Sequence, residues 1–590
     1  MDRTIRITNF PAIEVFTEDK HFNVDLSLVS DDGGLHKYKL SIQSEEAATP
    51  AVITLRWKIP SHNMKGVWRP GGLHDKRQQY DWELIHVESR ISVDAPVLCV
   101  FGHDDRNIHT IACSDAINLV EMNALLREED NYEYCHISLF TERHPAITNY
   151  TCDIVIDTRD ILFSKALQDV SEWWQTYELM QPADIPEVAR VPLYSSWYQF
   201  HQDLDPDVLL SECRIAHDMG YELIILDDGW QTMDNNRGYD YTGDWNPDRF
   251  PDMAGFVREV QAIGMKFGLW YSVPFCGKHS EAYKRFHGKF LTENHRWAPV
   301  FDPRYPDVRQ YLIDTYVNAL RDWNLDAFKF DFIDDFKVYP ETELTMDNGR
   351  DYANVNEAVD KLLSDAMSAL RAINPDIGIE FRQQYIGPAL RKYGNMFRAF
   401  DCPNDVVSNR IRTTDVKLLC GETAVHSDPQ TWHTEEKVEL AALQVLNGIF
   451  AVPQMSMVLA ELPEAHLSMI KFYTNYWNDH KHILLDGQFV PSNPLSNYPT
   501  LRAISDGHTI IGLYEDYIAT ITIDNQLDII NAKLSEHVVI NNQSDAGCDI
   551  TIYDCKGHTV SQENKRLLSG VTDFNVPPSG LLRIRRTVGT

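Results

Sequence analysis

Basic residues are scarce in this chain. Of its 590 residues 54 are Lys or Arg and 87 are Asp or Glu, so 54 − 87 leaves a net charge of −33 at neutral pH. Nucleic-acid grooves and anionic membrane surfaces both draw on surplus Lys and Arg, so neither partner is expected. Long apolar runs are lacking as well. No apolar stretch reaches 18 residues, and the candidate around Ile449 is interrupted by Pro and polar residues, which excludes a membrane-spanning helix. The opening MDRTIRITNFPAIEVF has no basic segment followed by an apolar one, so no secretory leader is expected. The ten cysteines (Cys99, Cys113, Cys135, Cys152, Cys213, Cys276, Cys402, Cys420, Cys548 and Cys555) stand singly, without a CxxC pair. They offer neither a zinc site nor a redox pair, and suit buried thiols of a reducing, cytoplasmic compartment. No glycine-rich phosphate loop follows any apolar strand, which weakens a doubly wound nucleotide fold.

What is present is globular. Hydrophobic residues make up 43% and charged residues 24%, so global disorder is excluded, and at about 150 residues per domain the length allows two to four domains. Residues 1–162 carry short alternating runs (Phe22–Leu28, Ala51–Trp57, Pro96–Phe101) separated by turn residues such as Asp31-Asp32-Gly33-Gly34, the pattern of a β-sandwich. Residues 163–190 read as a helical linker. From 191 to 486 short apolar strands alternate with amphipathic helices. Eight strands are expected: Val191–Trp197, Leu223–Asp228, Phe267–Tyr271, Ala327–Phe332, Ile377–Phe381, Met396–Asp401, Thr423–His426 and Gly448–Val452. Eight βα units over roughly 300 residues are the arithmetic of a (β/α)8 TIM barrel. Residues 487–590 return to β patterning and read as a small C-terminal β-sandwich, so the fold class is α/β with a sandwich on each side of the barrel.

Barrel chemistry gathers at the C-terminal ends of the strands. The second strand runs into Asp227-Asp228-Gly229-Trp230, the third into Trp270, the fourth into Lys329-Phe330-Asp331, the sixth into Arg398 and Asp401 through Asp405, and the seventh into His426-Ser427-Asp428. Apolar strands that flow into acids are costly unless the acids are used or paired. Carboxylates framed by Trp faces, with no phosphate loop or metal cluster, suit carbohydrate chemistry: acids grip hydroxyls and act at the anomeric carbon, and flat rings cover the sugar's apolar face. Lys329 and Asp331 lie two residues apart and share a strand face, so the ammonium keeps the carboxylate ionised, as a nucleophile needs. A second, protonated carboxyl must serve the leaving oxygen. Asp401 is the candidate, with Asp405 behind it.

These blocks, Leu226-Asp227-Asp228-Gly229-Trp230, Gly243-Asp244-Trp245, Gly264 through Trp270 and Lys329-Phe330-Asp331, resemble the α-galactosidases of glycoside hydrolase family 36, with Phe330 in place of a Trp. The resemblance implies a retaining exo-α-glycosidase acting on terminal α-D-galactosides through a covalent glycosyl–enzyme, with no cofactor and no metal. It places Asp331 as nucleophile, Asp401 as acid/base and Arg398 as the basic residue ahead of it. Asp227 and Asp228 become ligands of the 4- and 6-hydroxyls and Lys329 a ring-hydroxyl ligand, with Trp197, on strand one, and Trp270 as pocket aromatics; Trp230 and Asp405 complete the candidate set. An α-linked oligosaccharide or glycoside is the implied partner, and a homo-oligomer is compatible with the family. One stretch departs. Where the family has Cys-Ser-Gly-Gly-Gly beside the sugar's 2-position, this chain has Glu380-Phe381-Arg382-Gln383-Gln384. Arg382 then either reads an anionic substituent or pairs with a rim carboxylate, and another sugar such as an α-N-acetylgalactosaminide, a raffinose-synthase-like transglycosylase, or a non-catalytic sugar binder stay as alternatives.

Three further features invite a reading. His426, Asp428 and His433 could form a metal trio but read better as hydrogen-bonding residues. The Trp68–Leu73 loop, with Gly71 and Gly72, could reach over the barrel mouth but reads better as a surface turn packed on its own domain. The aromatic stripe Phe472, Tyr473, Tyr476 and Trp477 reads as core between barrel and C-terminal domain.

Overall fold

The computed structural model describes residues 3–6, 12–83 and 85–587. Two six-stranded, predominantly antiparallel sheets come first, spanning Arg3–Asp157. Their strands alternate as half-buried strands must. Ile53–Pro60, for example, turns Ile53, Leu55, Trp57 and Ile59 inward onto Leu40, Ile42 and Ile154 of the facing sheet. The helix Phe163–Trp174 follows and ties the sandwich to the barrel. Trp174 Nε1 donates to the Cys113 carbonyl on one side, and Ser171 Oγ to the Leu419 carbonyl on the other.

The central sheet is an eight-stranded parallel barrel: β1 Leu193–Ser195, β2 Leu223–Leu226, β3 Lys266–Ser272, β4 Ala327–Asp331, β5 Gly378–Arg382, β6 Met396–Arg398, β7 Ala424–His426 and β8 Gln454–Met455. Hydrogen bonding runs in the order β7-β6-β5-β4-β3-β2-β1-β8. Single bridges from His426 to Val452 and from Gln430 to Met455 nearly close the ring. Seven strands lie where the sequence pattern puts them. The eighth does not: Gly448–Ala451 is a buried turn that follows the helix Val438–Asn447, held by Gly448 N–H to the Val445 carbonyl and Ala451 N–H to the Gly448 carbonyl, Val452 makes only the single bridge to β7, and the strand begins at Gln454. A five-residue apolar run has the same signature in a buried turn as in a strand.

The C-terminal domain pairs a seven-stranded sheet with a three-stranded one around an aliphatic core that includes Ile529, Ile540 and Ile550. Helix Glu464–Asp486 lies between it and the barrel. Tyr473 and Tyr476 donate into the C-terminal domain at the Ser579 carbonyl and Asp528, and Trp477 Nε1 donates to the Ala451 carbonyl at the end of the barrel. Trp68 corrects the sequence reading, since it is fully buried rather than on a surface turn. Its Nε1 donates to Asp415 on the barrel helix Val406–Leu419. That carboxylate also takes Lys76 Nζ at 2.8 Å from the N-terminal domain and Tyr498 Oη at 2.5 Å from the C-terminal one. One buried acid thus joins all three domains. All ten cysteines are buried and unpaired, and among the described residues no helix is long and apolar enough to cross a membrane.

Candidate active site

Strand alternation builds the floor of the site. On β4, Phe328 and Phe330 point outward onto Tyr316 of the helix Pro306–Trp323, with Phe330 and Tyr316 ring centroids 4.6 Å apart. Lys329 and Asp331 therefore point inward. The same parity turns Glu380 and Arg382 of β5 inward, and Glu380 reaches across the barrel to take Gln454 Nε2 of β8 at 2.6 Å.

Asp331 is 6% exposed and held by donors on both oxygens. Oδ1 accepts Arg382 Nε at 2.8 Å, the Phe332 N–H at 2.8 Å and the Tyr385 hydroxyl; Oδ2 accepts Trp270 Nε1 at 2.9 Å, with Lys329 Nζ 3.9 Å away. Burial by itself would push this carboxyl up. The guanidinium of Arg382 and the ammonium of Lys329, aided by the Tyr385 and Trp270 hydrogen bonds, instead hold it far below the usual carboxylate range. Lys329 Nζ also donates to Asp227 Oδ2 at 2.7 Å, which keeps the buried ammonium charged.

Asp227 and Asp228 follow β2 where the strand ends and the chain turns. Ser196 Oγ accepts the Asp227 N–H at 2.9 Å, and Asp227 Oδ1 accepts the Asp228 N–H at 2.9 Å. Asp228 is clasped by Gln202 Nε2 and Gln231 Nε2, each at 2.7 Å, and burial pushes it up to about 7. Asp401, past β6, has 35% of its side chain exposed. Its Oδ1 accepts Arg398 NH2 at 2.7 Å, while the other arm of Arg398 binds Asp428. Burial works to raise Asp401, but Arg398, Arg382 and Lys329 outweigh it and hold the carboxyl below its ordinary range. Asp428 is fully buried and pushed up to about 7, chiefly by that burial.

Asp227, Asp228, Lys329, Asp331, Trp270, Arg382, Arg398 and Asp401 thus come together at one end of the barrel. Three candidates do not join them in the same way. Trp230 is fully buried in an aromatic cluster with Trp245, Tyr271 and Trp323, its Nε1 spent on the Trp270 carbonyl, so it supports the third strand from behind. Asp405 is exposed and caps the helix Val406–Leu419, accepting the Ser408 N–H at 3.0 Å. Trp197 lies not on strand one but at the start of a one-turn helix, Trp197–Phe200, edge-on to His201. His426, Asp428 and His433 are engaged apart: His426 with the Ala189 carbonyl and Gln454, Asp428 with Arg398, Tyr198 and the Cys402 N–H, and His433 with the Glu435 N–H.

The sequence pattern gave no sign of Tyr385, Gln202 and Tyr198, because a single Tyr or Gln in a loop or a one-turn helix carries no periodic signal. The N-terminal domain adds a wall beside the loop after β5, where a Trp68–Leu73 loop reaching over the barrel mouth would set it. Asp94 donates its N–H to the Gln384 carbonyl at 2.6 Å. A Cβ on Gly72 would meet Arg412 Cγ at 2.5 Å, and one on Gly387 the Asp94 carbonyl at 2.3 Å, so both backbones need glycine for their close approach.

The melibiase family model matches residues 164–380, from the linker helix through β5. Alpha-galactosidase AgaA of Geobacillus stearothermophilus is 29% identical over 150 residues, which cover 24% of this chain and 20% of that protein. The match therefore spans about a fifth of that relative's length. A crystal structure of an AgaA variant in complex with raffinose superposes with a TM-score of 0.63 at 14% identity, covering 98% of this chain and 82% of that one. The alpha-galactosidase from Lactobacillus brevis gives 0.66 at 12% identity, covering 100% and 83%. At such identities the structures establish the fold. Joined to the family match and to the motif blocks at the strand ends, they lead to one conclusion: over residues 164–380 the chain is similar to the melibiase family, and it shares the fold of the α-galactosidases of glycoside hydrolase family 36.

Proposed function

We propose that this protein is a retaining exo-α-glycosidase that hydrolyses terminal α-D-galactosides. The observation that carries the reading is the buried chain Asp227–Lys329–Asp331, joined at Oδ2 by Trp270 and faced by Asp401 on Arg398. The raffinose complex of the AgaA relative supports an α-galactoside in a barrel of this kind.

In the first step Asp331 Oδ2 attacks the anomeric carbon. The glycosidic C–O bond breaks, and its oxygen leaves with a proton from Asp401. In the second step Asp401 takes a proton from water, the water oxygen attacks the same carbon, and the bond to Asp331 breaks with its electron pair returning to the carboxylate. Asp331 is kept ionised for the attack by Arg382 and Lys329. Asp401 is held ionised in the open site; a sugar seated over it removes its remaining exposure, and desolvation then favours the protonated form. Asp227 and Asp228 present acceptors for ring hydroxyls, and the wall of Asp94 and Gly72 closes one side of the rim, which supports recognition of a chain end. The unpaired thiols support a reducing compartment.

Release of nitrophenol from p-nitrophenyl α-galactoside, α-N-acetylgalactosaminide, α-glucoside and β-L-arabinopyranoside, by wild type and Asp331→Ala, tests the proposal. Turnover of the galactoside that disappears in Asp331→Ala is expected. Turnover of another member only would reassign the sugar, and silence across the panel would overturn the enzymatic reading.

A further inference from the structure

Arg382 stands where the family's small residues are, and its guanidinium is spent on Asp331 itself. Nε donates to Asp331 Oδ1 at 2.8 Å and NH1 to the Gln383 carbonyl at 2.9 Å. The head is packed over the rings of Phe400, Tyr385 and Phe332, 5.0, 5.2 and 5.3 Å from their centroids, and the residue is 7% exposed. Five contacts and near-complete burial make this a fixed partner.

The two oxygens of Asp331 differ in consequence. Oδ1 carries three donors (Arg382, Tyr385 and the Phe332 N–H), which exceeds its two lone pairs, whereas Oδ2 carries only Trp270. Only Oδ2 has a lone pair left for an anomeric carbon. Attack converts the carboxylate into a neutral ester, and the buried guanidinium then loses the charge it faces. When the ester breaks, the electron pair returns to Asp331 and the ion pair is restored.

Resting on the α-galactosidase reading, we infer that Arg382 is a positioning residue that fixes Oδ2 as the attacking oxygen and shortens the life of the glycosyl–enzyme, slowing its formation and speeding its breakdown. Formation thus limits turnover, even for substrates with good leaving groups. A hydrogen bond to a charged group bears on the ratio of the two steps by about ten- to a hundredfold.

Rapid mixing of the full-length protein with dinitrophenyl α-D-galactoside reads this ratio. Wild type is expected to release dinitrophenol linearly, without a burst. Arg382→Gln is expected to give a burst approaching one equivalent per site, a steady rate at least about tenfold lower, and a hexose on the Asp331 peptide. Arg382→Lys, which keeps the charge, is expected to give a smaller burst. Circular dichroism checks that each variant is folded. A full burst in wild type overturns the inference whether or not the variants fold, as does Arg382→Gln without a burst, or equal bursts in Gln and Lys variants. If wild type turns over no α-galactoside, the proposed function fails and the inference with it; turnover without the predicted split refutes the inference alone.

Discussion

Lys329→Met probes the link between the proposed sugar ligand Asp227 and the proposed nucleophile Asp331. The side chain is 5% exposed and its ammonium lies 2.7 Å from Asp227 Oδ2 and 3.9 Å from Asp331 Oδ2. Its removal leaves the two acids in unequal positions. Asp331 keeps Arg382 at 2.8 Å and so stays ionised, whereas Asp227 loses the cation that it contacts. A hydrogen bond between charged groups contributes about 1.5–3 kcal/mol, which at 1.36 kcal/mol per decade is about 10- to 150-fold in kcat/KM. Asp227→Asn breaks the same contact from the other side and is expected to lose a similar factor. If the contact is the unit that acts, the double variant loses little more than the worse single one, a coupling of about 1.5–3 kcal/mol. Steady-state kinetics on p-nitrophenyl α-galactoside, with thermal unfolding of each variant to confirm folding, measures all four corners of the cycle. Losses that multiply, the double variant falling a further roughly 10- to 150-fold below the worse single one, would refute the reasoning.

Other consequences follow from single contacts. Asp401→Ala is expected to lose most on natural substrates with poor leaving groups and little on activated aryl glycosides, while Asp405→Ala, the loss of a helix cap, leaves that dependence unchanged; the reverse pattern would move the acid role to Asp405. Burial raises Asp228 to about 7 in the folded state, so the carboxyl favours folding when protonated and the native margin falls as pH rises from about 4 towards 7. Asp228→Asn should therefore gain in melting temperature relative to wild type over that interval, and a constant difference would contradict the assigned shift. Asp415→Ala strands Lys76 Nζ, Trp68 Nε1 and the Tyr498 hydroxyl at the meeting of three domains, which costs about 3–5 kcal/mol. Hydrogen exchange should accelerate at residues 64–80, and unchanged protection there would show the junction to be redundant.

How much of this was legible in the sequence depended on whether a residue's role is local. Lys329 and Asp331 share a face because a strand has a period of two, and Asp227 and Asp228 announce themselves by following four aliphatic residues. Asp401 and Asp405, four residues apart, could not be told apart in this way; what separates them is that Arg398 folds back onto one while the other closes a helix turn. Trp230 and Trp270 look alike in a string, yet one indole donates to a carbonyl behind the strand and the other to Asp331. Arg382 was visible as a departure, but its partner lies 51 positions away, and no spacing rule reaches across from β4 to β5. The Trp68 loop failed for a similar reason: glycines and a Trp suggest an exposed turn, and only Asp415, 347 positions on, explains the burial.

The central claim is that Asp331 forms a bond to the sugar. Mass spectrometry after rapid acid quench with dinitrophenyl α-D-galactoside, on wild type and Arg382→Gln, tests it most directly. The account predicts a peptide heavier by one hexose, with the modification on Asp331, more abundant in Arg382→Gln and missing in Asp331→Ala. A hexose on a different carboxylate, or none in any variant during active turnover, would contradict it.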